Sequence, residues 1–234
     1  MTLLIIDIGS SSVRVLLCRD DATLIEDAIT SRPHDFHTAS DGQATADSNH
    51  LQGLVEACID DILNHPQAKD IRGVGMATFV GNWVGLDPQG TPITPLMTYA
   101  DTRSHEDIPL LRDKLDGDTE SYHQAVGCML HMAYLPAQFH YVQRTQPDLT
   151  ASIHTVTDFG GYLYRQWFGR DIPISYTVAG WTGLLHTTQY QWHEGYMRQF
   201  GVEKLVDCLP PLANYDDVQV GLSDPYASRW TQLK

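Results

Sequence analysis

The sequence predicts an α/β fold in which a five-stranded mixed sheet is flanked by helices. The apolar run from Leu3 to Ile8, the turn from Gly9 to Ser12 and the apolar residues from Val13 to Leu17 have the pattern of two antiparallel strands. Leu24 to Ile29 supplies a third strand, and strand periodicity returns at Ile71. Strands that enclose a helical segment indicate a sheet with helices packed on it.

The helical segments are recognised from the spacing of their apolar residues. Between Leu51 and Leu63 these residues recur three and four positions apart, which predicts a helix with one apolar face. Either Asp47 or Ser48 can cap its start. Two later helices are predicted over Ala133 to Arg144 and Val156 to Trp167.

The charge of the chain limits its partners. Aspartate and glutamate total 29 residues against 15 lysines and arginines, a net charge of -14. No broad basic surface is therefore expected for a nucleic-acid backbone. One arginine with a cup of backbone amides still suffices to bind a small phosphorylated ligand.

The N-terminal apolar run is not expected to be a targeting or membrane segment. Its apolar run, Thr2 to Ile8, is too short to span a bilayer and follows no basic region. We predict a cytoplasmic protein with no membrane partner. The cysteines lie far apart and form no C-x-x-C pair, which favours buried thiols in a reducing compartment: Cys18, Cys58, Cys128 and Cys208.

The turn between the first two strands has the residue types of a phosphate site. Gly9 lets backbone N–H groups approach an anion, three serines follow it, and Arg14 adds charge. Asp7 can hold Mg²⁺ directly or through water. The alternative is a plain hairpin with a Gly-Ser turn, although a buried strand that ends in a carboxylate is costly unless the carboxylate has a partner or a task.

A second segment combines an aromatic residue with a pair of charged residues. Asp101 and Arg103 can make bidentate hydrogen bonds to hydroxyl groups, and the ring of Tyr99 offers a flat face with a polar tip. The alternative for Asp101 and Arg103 is an ion pair on a surface loop.

Three segments together resemble the FGGY carbohydrate kinases. They are Asp7 to Arg14, Gly73 to Arg103, and Gly127 to Ala137. The resemblance implies the RNase H-like fold of the sugar kinase, actin and Hsp70 ATPase group, with ATP and Mg²⁺ as cofactors. The site residues that it implies are Asp7 for the metal, Gly9, Ser10, Ser11, Ser12 and Arg14 for the phosphate, and Phe79, Asn82, Asp101, Arg103 and Tyr134 for the sugar.

The sequence departs from the family at two places near the expected sugar site. Many relatives carry His or Gln in the stretch aligned with Phe79 to Asn82, and Gln138 stands where a lysine is common. The identity of the sugar therefore stays open between gluconate and xylulose, with glycerol less favoured.

The resemblance places the catalytic base outside this sequence. In the family the base is an Asp in a Gly-Asp segment that opens a second domain, which also holds the adenine pocket. Residues 1–234 are thus predicted to be the N-terminal substrate-binding domain, inactive without a C-terminal nucleotide-binding domain. Expected partners are a sugar or sugar acid, that missing domain and, through the apolar face it would cover, a second copy of the chain.

Two other functions are consistent with parts of the sequence. A non-catalytic sugar-binding or regulatory module could derive from such a kinase. An RNase H-like nuclease ranks far below, because it needs several carboxylates around two metals and only Asp7 stands at a recognisable strand end. Asp158 and Asp207 could replace the base by residue type, but neither lies in a matching motif.

Overall fold

Four strands form the main sheet of the computed structural model, which describes residues 1–214 and 216–233: β1 (Thr2–Ile8), β2 (Ser12–Arg19), β3 (Leu24–Pro33) and β6 (Ile71–Thr78). Their order is β3, β2, β1, β6. β1 and β2 pair antiparallel, as do β2 and β3, whereas β1 and β6 run parallel. The sheet is therefore mixed, with antiparallel first strands, as the sequence predicts.

The prediction of five strands is wrong by one, since this sheet has four within the described residues. Later apolar segments form short ladders instead. Pro92 and Pro95 lie between Leu86 and Leu96, and neither has an N–H to donate to a longer ladder there. The short strands are β4 (His37–Thr38), β5 (Ala44–Ala46), β7 (Val84–Leu86), β8 (Leu96–Met97), β9 (Thr155–Thr157), β10 (Ile174–Ser175), β11 (Leu185–His186), β12 (Gln191–Trp192) and β13 (Leu212–Ala213). β7 pairs with β9.

The helices begin and end at recognisable residues. Asp47 caps α1, because its carboxylate accepts from the N–H groups of Asn49 and His50. The helices are α1 (Ser48–Leu63), α2 (Asp107–Lys114), α3 (Thr119–Val126), α4 (Leu135–Thr145), α5 (Pro147–Ser152), α6 (Phe159–Phe168), α7 (Tyr176–Ala179), α8 (Glu194–Phe200), α9 (Lys204–Cys208) and α10 (Tyr226–Arg229). Short 3₁₀ turns cover Pro66–Asp70, Arg103–Glu106 and Thr231–Leu233.

Two helix starts differ by a few residues from the predicted ones. α4 begins at Leu135 because Pro136, which suits a first helical turn, fixes the boundary. α6 begins at Phe159, since the preceding residues form β9 and Asp158 caps the helix.

Two large apolar clusters fill the interior. The first lies between the main sheet, α1 and α6 and includes Leu4, Val55 and Phe159. The second lies among the later helices and includes Tyr122 and Phe139. The ends of β1 and β6 face the boundary between these two halves, which positions the site described below.

The C-terminal segment docks on α1 through one buried tryptophan and a charged network. Trp230 is 1% exposed, its ring meets that of Trp167 edge-on at 5.5 Å, and its Nε1 donates to Asp60 at 2.9 Å. Arg229 pairs with Asp60 at 2.5 Å and also with Glu56. The first cluster therefore depends on residues that are far from it in sequence.

The four cysteines are buried and free, which confirms the prediction of buried thiols. No helix within residues 1–214 and 216–233 has the length and apolar character needed to cross a membrane.

Candidate functional site

The loop after β1 is a tight turn with a charged pair at its base. The N–H of Gly9 donates to the carbonyl of Ser12 at 2.9 Å and closes the turn. Asp7 and Arg14 lie opposite each other on β1 and β2, and their side chains are 3.5 Å apart and half-exposed. The predicted phosphate and metal residues are thus together at one end of the hairpin.

Neighbouring residues hold the carbonyl groups of this turn and leave its amides available. His34 is buried, and its ring Nε2 bonds the carbonyl of Gly9 at 2.9 Å. The backbone N–H of His34 donates to the carbonyl of Ser11 at 3.0 Å. Within residues 1–214 and 216–233, no group accepts a hydrogen bond from the N–H of Ser10 or Ser11. These two amides can therefore bind an anion.

The support from His34 is invisible in the sequence. The residue lies in a polar connection with no motif around it. Its role depends on the chain's return from β3 past the turn, which local patterns do not encode.

A cleft of about 520 Å³ opens beside this turn. Ser10 of the turn lines it together with Phe79 and Tyr134, two of the predicted sugar residues. Phe79 is held there because its N–H donates to the carbonyl of Ile8 at 2.8 Å, which continues the pairing of β6 with β1. The other lining residues are Val80, Gly81, Tyr99, Met129, His131, Ala133 and Trp181.

Tyr134 lines the cleft, and its hydroxyl interacts with the thiol of Cys128. That thiol donates to the carbonyl of Gly180 at 3.2 Å. Burial raises the pKa of Tyr134, and the contact with Cys128 adds to the shift. The hydroxyl of Tyr134 therefore stays protonated and serves the wall of the cleft.

Asn82 lies behind the cleft. Its side-chain amide donates to the carbonyl of Phe79, and its oxygen accepts from the N–H of Phe159 at 2.8 Å. It lines a second, much smaller cavity of about 30 Å³, enough space for a water molecule. Asn82 thus fixes Phe79 against the start of α6.

Asp101 and Arg103 do not line the cleft. Asp101 is 1% exposed, and its carboxylate accepts from Arg103 at 2.7 Å and from the N–H of Ala44 at 3.1 Å. The guanidinium of Arg103 lies over the ring of Tyr141 at 5.5 Å. Both side chains are already satisfied by protein groups, and the pair is buried, unlike the surface ion pair that was the alternative.

Trp181 and Met129 also line the cleft, although neither is among the predicted site residues. Trp181 lies in a Gly-containing stretch with no recognisable site motif, and Met129 lies in the family-like segment Gly127 to Ala137. Their approach to Ser10 and Phe79 is a tertiary contact between the two halves of the molecule.

Comparison with known proteins identifies the family. A model of the FGGY family of carbohydrate kinases, N-terminal domain, matches residues 2–231. The chain belongs to this family. It is 20% identical to a gluconokinase of Bacillus subtilis (strain 168) over 84% of the chain and 37% of that protein. It is 21% identical to a xylulose kinase of Klebsiella pneumoniae over 96% of the chain and 45% of that protein. The chain therefore spans less than half the length of these curated relatives.

Solved structures share the fold. A xylulose kinase from Rhodospirillum rubrum superposes with a TM-score of 0.88 at 18% identity and covers 98% of this chain and 46% of its own. A gluconate kinase from Lactobacillus acidophilus superposes with a TM-score of 0.87 at 16% identity, and the match covers 98% of this chain and 45% of that kinase. The RNase H-like α/β class predicted from the sequence is confirmed.

Gln138 takes a structural place within the FGGY fold of this chain. It is buried, accepts from Trp83 Nε1 at 2.9 Å and donates to the carbonyl of Thr98 at 2.8 Å. It thereby joins α4 to the chain that precedes Tyr99. No ionic contact is required at this position.

The donor set at the turn fits a magnesium ion only in company with substrate phosphates. No group of three or more Asp, Glu, His or Cys side chains suited to a metal occurs in the described part of the chain. Mg²⁺ in kinases is commonly held by one or two carboxylates together with phosphate oxygens and water. The half-exposed carboxylate of Asp7 matches that mode.

Asp158, a buried carboxylate that lines the smaller cavity, is a helix cap. Its oxygens accept from the N–H groups of Gly160 at 2.9 Å and Gly161 at 3.1 Å. Burial raises the pKa of Asp158, and the two amide donors oppose that shift. Its acceptor oxygens are directed at α6, so it is not placed to take a proton from a ligand in the cleft.

Replacing Asp158 by alanine is expected to lower the free energy of unfolding by about 1 kcal/mol, because α6 loses its cap. Asp158→Asn keeps one of the two acceptor oxygens and should cost less. Urea unfolding at pH 7, followed by far-UV circular dichroism, compares the two variants. Equal losses in both would show that one acceptor oxygen does not sustain the cap.

Proposed function

We propose that this chain is the sugar-binding half of a cytoplasmic, ATP-dependent carbohydrate kinase. The observation that carries the proposal is the shared cleft: Ser10 of the predicted phosphate turn lines the same cavity as Phe79 and Tyr134. A phosphoryl group held at the turn and a hydroxyl compound in the cleft would therefore be neighbours, as phosphoryl transfer requires.

The turn would hold the phosphoryl group. The free amides of Ser10 and Ser11, the serine hydroxyls and Arg14 supply donors, and Asp7 supplies a ligand for Mg²⁺. Bound together with ATP phosphates, Mg²⁺ would neutralise charge on the transferred group. For Arg14 to serve an incoming phosphate, it has to turn from Asp7, and an exposed pair of this kind is weak enough to allow it.

The cleft would position the sugar. Phe79 and Tyr134 offer ring surfaces to its C–H groups. We propose that Asn82, Asp101 and Arg103 shape the site from behind: Asn82 holds Phe79, and the pair of Asp101 with Arg103 fixes the segment beyond Tyr99.

A second domain would supply the base and the adenine site. No Asp or Glu of residues 1–214 and 216–233 lines the cleft, although phosphoryl transfer to a hydroxyl needs an acceptor for its proton. The relatives quoted above are more than twice the length of the matched region, which leaves room for such a domain.

The test combines sugar binding with ADP release. Titration calorimetry of the 234-residue chain with xylulose, gluconate, ribulose and glycerol is expected to show binding of at least one of these compounds, and Phe79→Ala should weaken that binding. With Mg²⁺-ATP, the chain alone should release no ADP in response to sugar, whereas the protein encoded by the complete reading frame should.

Each departure from that pattern has a distinct meaning. Sugar-stimulated turnover by the chain alone would place a base within these residues and overturn the two-domain proposal. Sugar binding without turnover by the complete protein would favour the non-catalytic module.

A further inference from the structure

The wall of the cleft is more apolar than a hydroxyl-rich ligand requires. Three large side chains on it are well exposed: Met129 at 63%, Trp181 at 49% and Tyr99 at 45%. They come from separate segments and converge with Phe79 on one concave volume. Single exposed apolar residues are ordinary on protein surfaces, but their convergence in a concave site marks a ligand surface.

Few polar side chains line the cleft. No Asp, Glu, Lys or Arg in the described part of the chain lines it, and its polar lining side chains are Ser10, His131, the two tyrosines and Trp181, whose indole offers a single N–H. His131 accepts from the N–H of Ala133 at Nδ1, 3.1 Å away, which leaves Nε2–H as its donor. The hydroxyl of Tyr134 interacts with the thiol of Cys128.

The backbone at Gly81 disfavours a polar side chain in this part of the wall. Gly81 has a φ of +69°, and a Cβ there would lie 3.0 Å from Cβ of Tyr99. A side chain at position 81 would therefore be strained and crowded. This part of the wall stays without a hydrogen-bonding side chain.

A carboxylate ligand would find no free cation here. Neither Arg14 nor Arg103 lines the cleft, Arg103 is bound to Asp101, and the free amides of Ser10 and Ser11 serve the phosphoryl group in the function proposed above. A carboxylate taken out of water without a partner charge is strongly disfavoured. The cleft thus discriminates against sugar acids.

Building on the kinase function proposed above, we infer that the cleft takes an uncharged polyol joined to a bulky apolar group. The polyol end lies at Ser10 and His131, and the apolar group lies against Met129 and Trp181. The volume of about 520 Å³ lies within the range of small-molecule sites, about 300–1,000 Å³. It leaves space beyond that of a simple sugar.

Two matched ligand pairs test this inference by titration calorimetry on the 234-residue chain. The first pair is 3-phenoxypropane-1,2-diol against glycerol, which differ by the aryl group. The second is glucitol against gluconate, which differ by the carboxylate. The aryl diol is expected to bind roughly tenfold or more tighter than glycerol, because the ring buries apolar surface. Glucitol is expected to bind tighter than gluconate.

Variants test which side chains cause the preference for the aryl diol. Trp181→Ala should remove most of the aryl preference. Tyr190→Ala, at an aromatic residue of similar exposure that does not line the cleft, should leave it unchanged. 2-Phenoxyethanol, which lacks the diol, should bind more weakly than the aryl diol.

The outcomes separate this inference from the proposed function. Binding of xylulose or gluconate with no gain from the aryl group, or tighter binding of gluconate than of glucitol, overturns the inference and leaves the kinase proposal standing. An aryl preference that survives Trp181→Ala also overturns it. Absence of binding by every polyol overturns both.

Discussion

Replacing Trp230 by alanine is expected to lower the free energy of unfolding by about 3–5 kcal/mol, the usual cost of truncating a large buried aromatic residue. The ring is almost fully buried in the cluster between the main sheet, α1 and α6. Its loss removes the edge-on contact with Trp167 and leaves Asp60 without the indole donor. A cavity next to Trp167 would remain, because the sheet cannot collapse into it.

Urea unfolding followed by far-UV circular dichroism measures this change without relying on the altered tryptophan fluorescence. Trp181→Ala is the matched control, since it removes the same side chain from a half-exposed position and should cost much less. A loss below about 1 kcal/mol in Trp230→Ala would mean that the C-terminal segment detaches independently of the sheet.

The main sheet and its first helix are predictable because their signals are local. Leu3 to Ile8 and Val13 to Leu17 are apolar runs at strand length, and the helix from Leu51 has a regular apolar face with Asp47 before it. In each case the same neighbours in sequence decide the conformation and the burial. The residues of the phosphate turn follow from this hairpin.

The shape of the sugar site depends on contacts that sequence patterns do not encode. Asp101 and Arg103 have the residue types of a hydroxyl-binding pair, but the amide of Ala44, 57 positions away from Asp101, occupies the carboxylate. Trp181, which follows α7, meets Ser10 and Phe79 only in the folded chain. The strand count was wrong because the later apolar segments pair with one another, as β7 does with β9, and not with the main sheet.

The turn after β1 depends both on local sequence patterns and on tertiary contacts. Its sequence predicts an anion site, and the fold adds the support of His34 and the junction with the cleft. Free amides at Ser10 and Ser11 distinguish it from a turn that satisfies all of its own hydrogen bonds. Asp7 is therefore the residue at which a test of chemistry is most direct.

Asp7→Asn is expected to lower sugar-dependent turnover of the protein encoded by the complete reading frame about a thousandfold, because a metal-held phosphoryl group contributes several kcal/mol to the barrier. The KM for the sugar should change little, since Asp7 does not line the cleft. Steady-state ADP release at several Mg²⁺ concentrations measures both, and the variant should need more Mg²⁺.

Two comparisons separate metal binding from a structural role of Asp7. Asp20→Asn, at the opposite end of the hairpin, removes an exposed carboxylate and should leave turnover unchanged. If Asp7 served only to pair with Arg14, Arg14→Met would reproduce the whole effect, and the Mg²⁺ requirement would be the same in both variants. The proposed role instead requires that only Asp7→Asn shifts the Mg²⁺ dependence, because Arg14 acts on the phosphate and not on the metal.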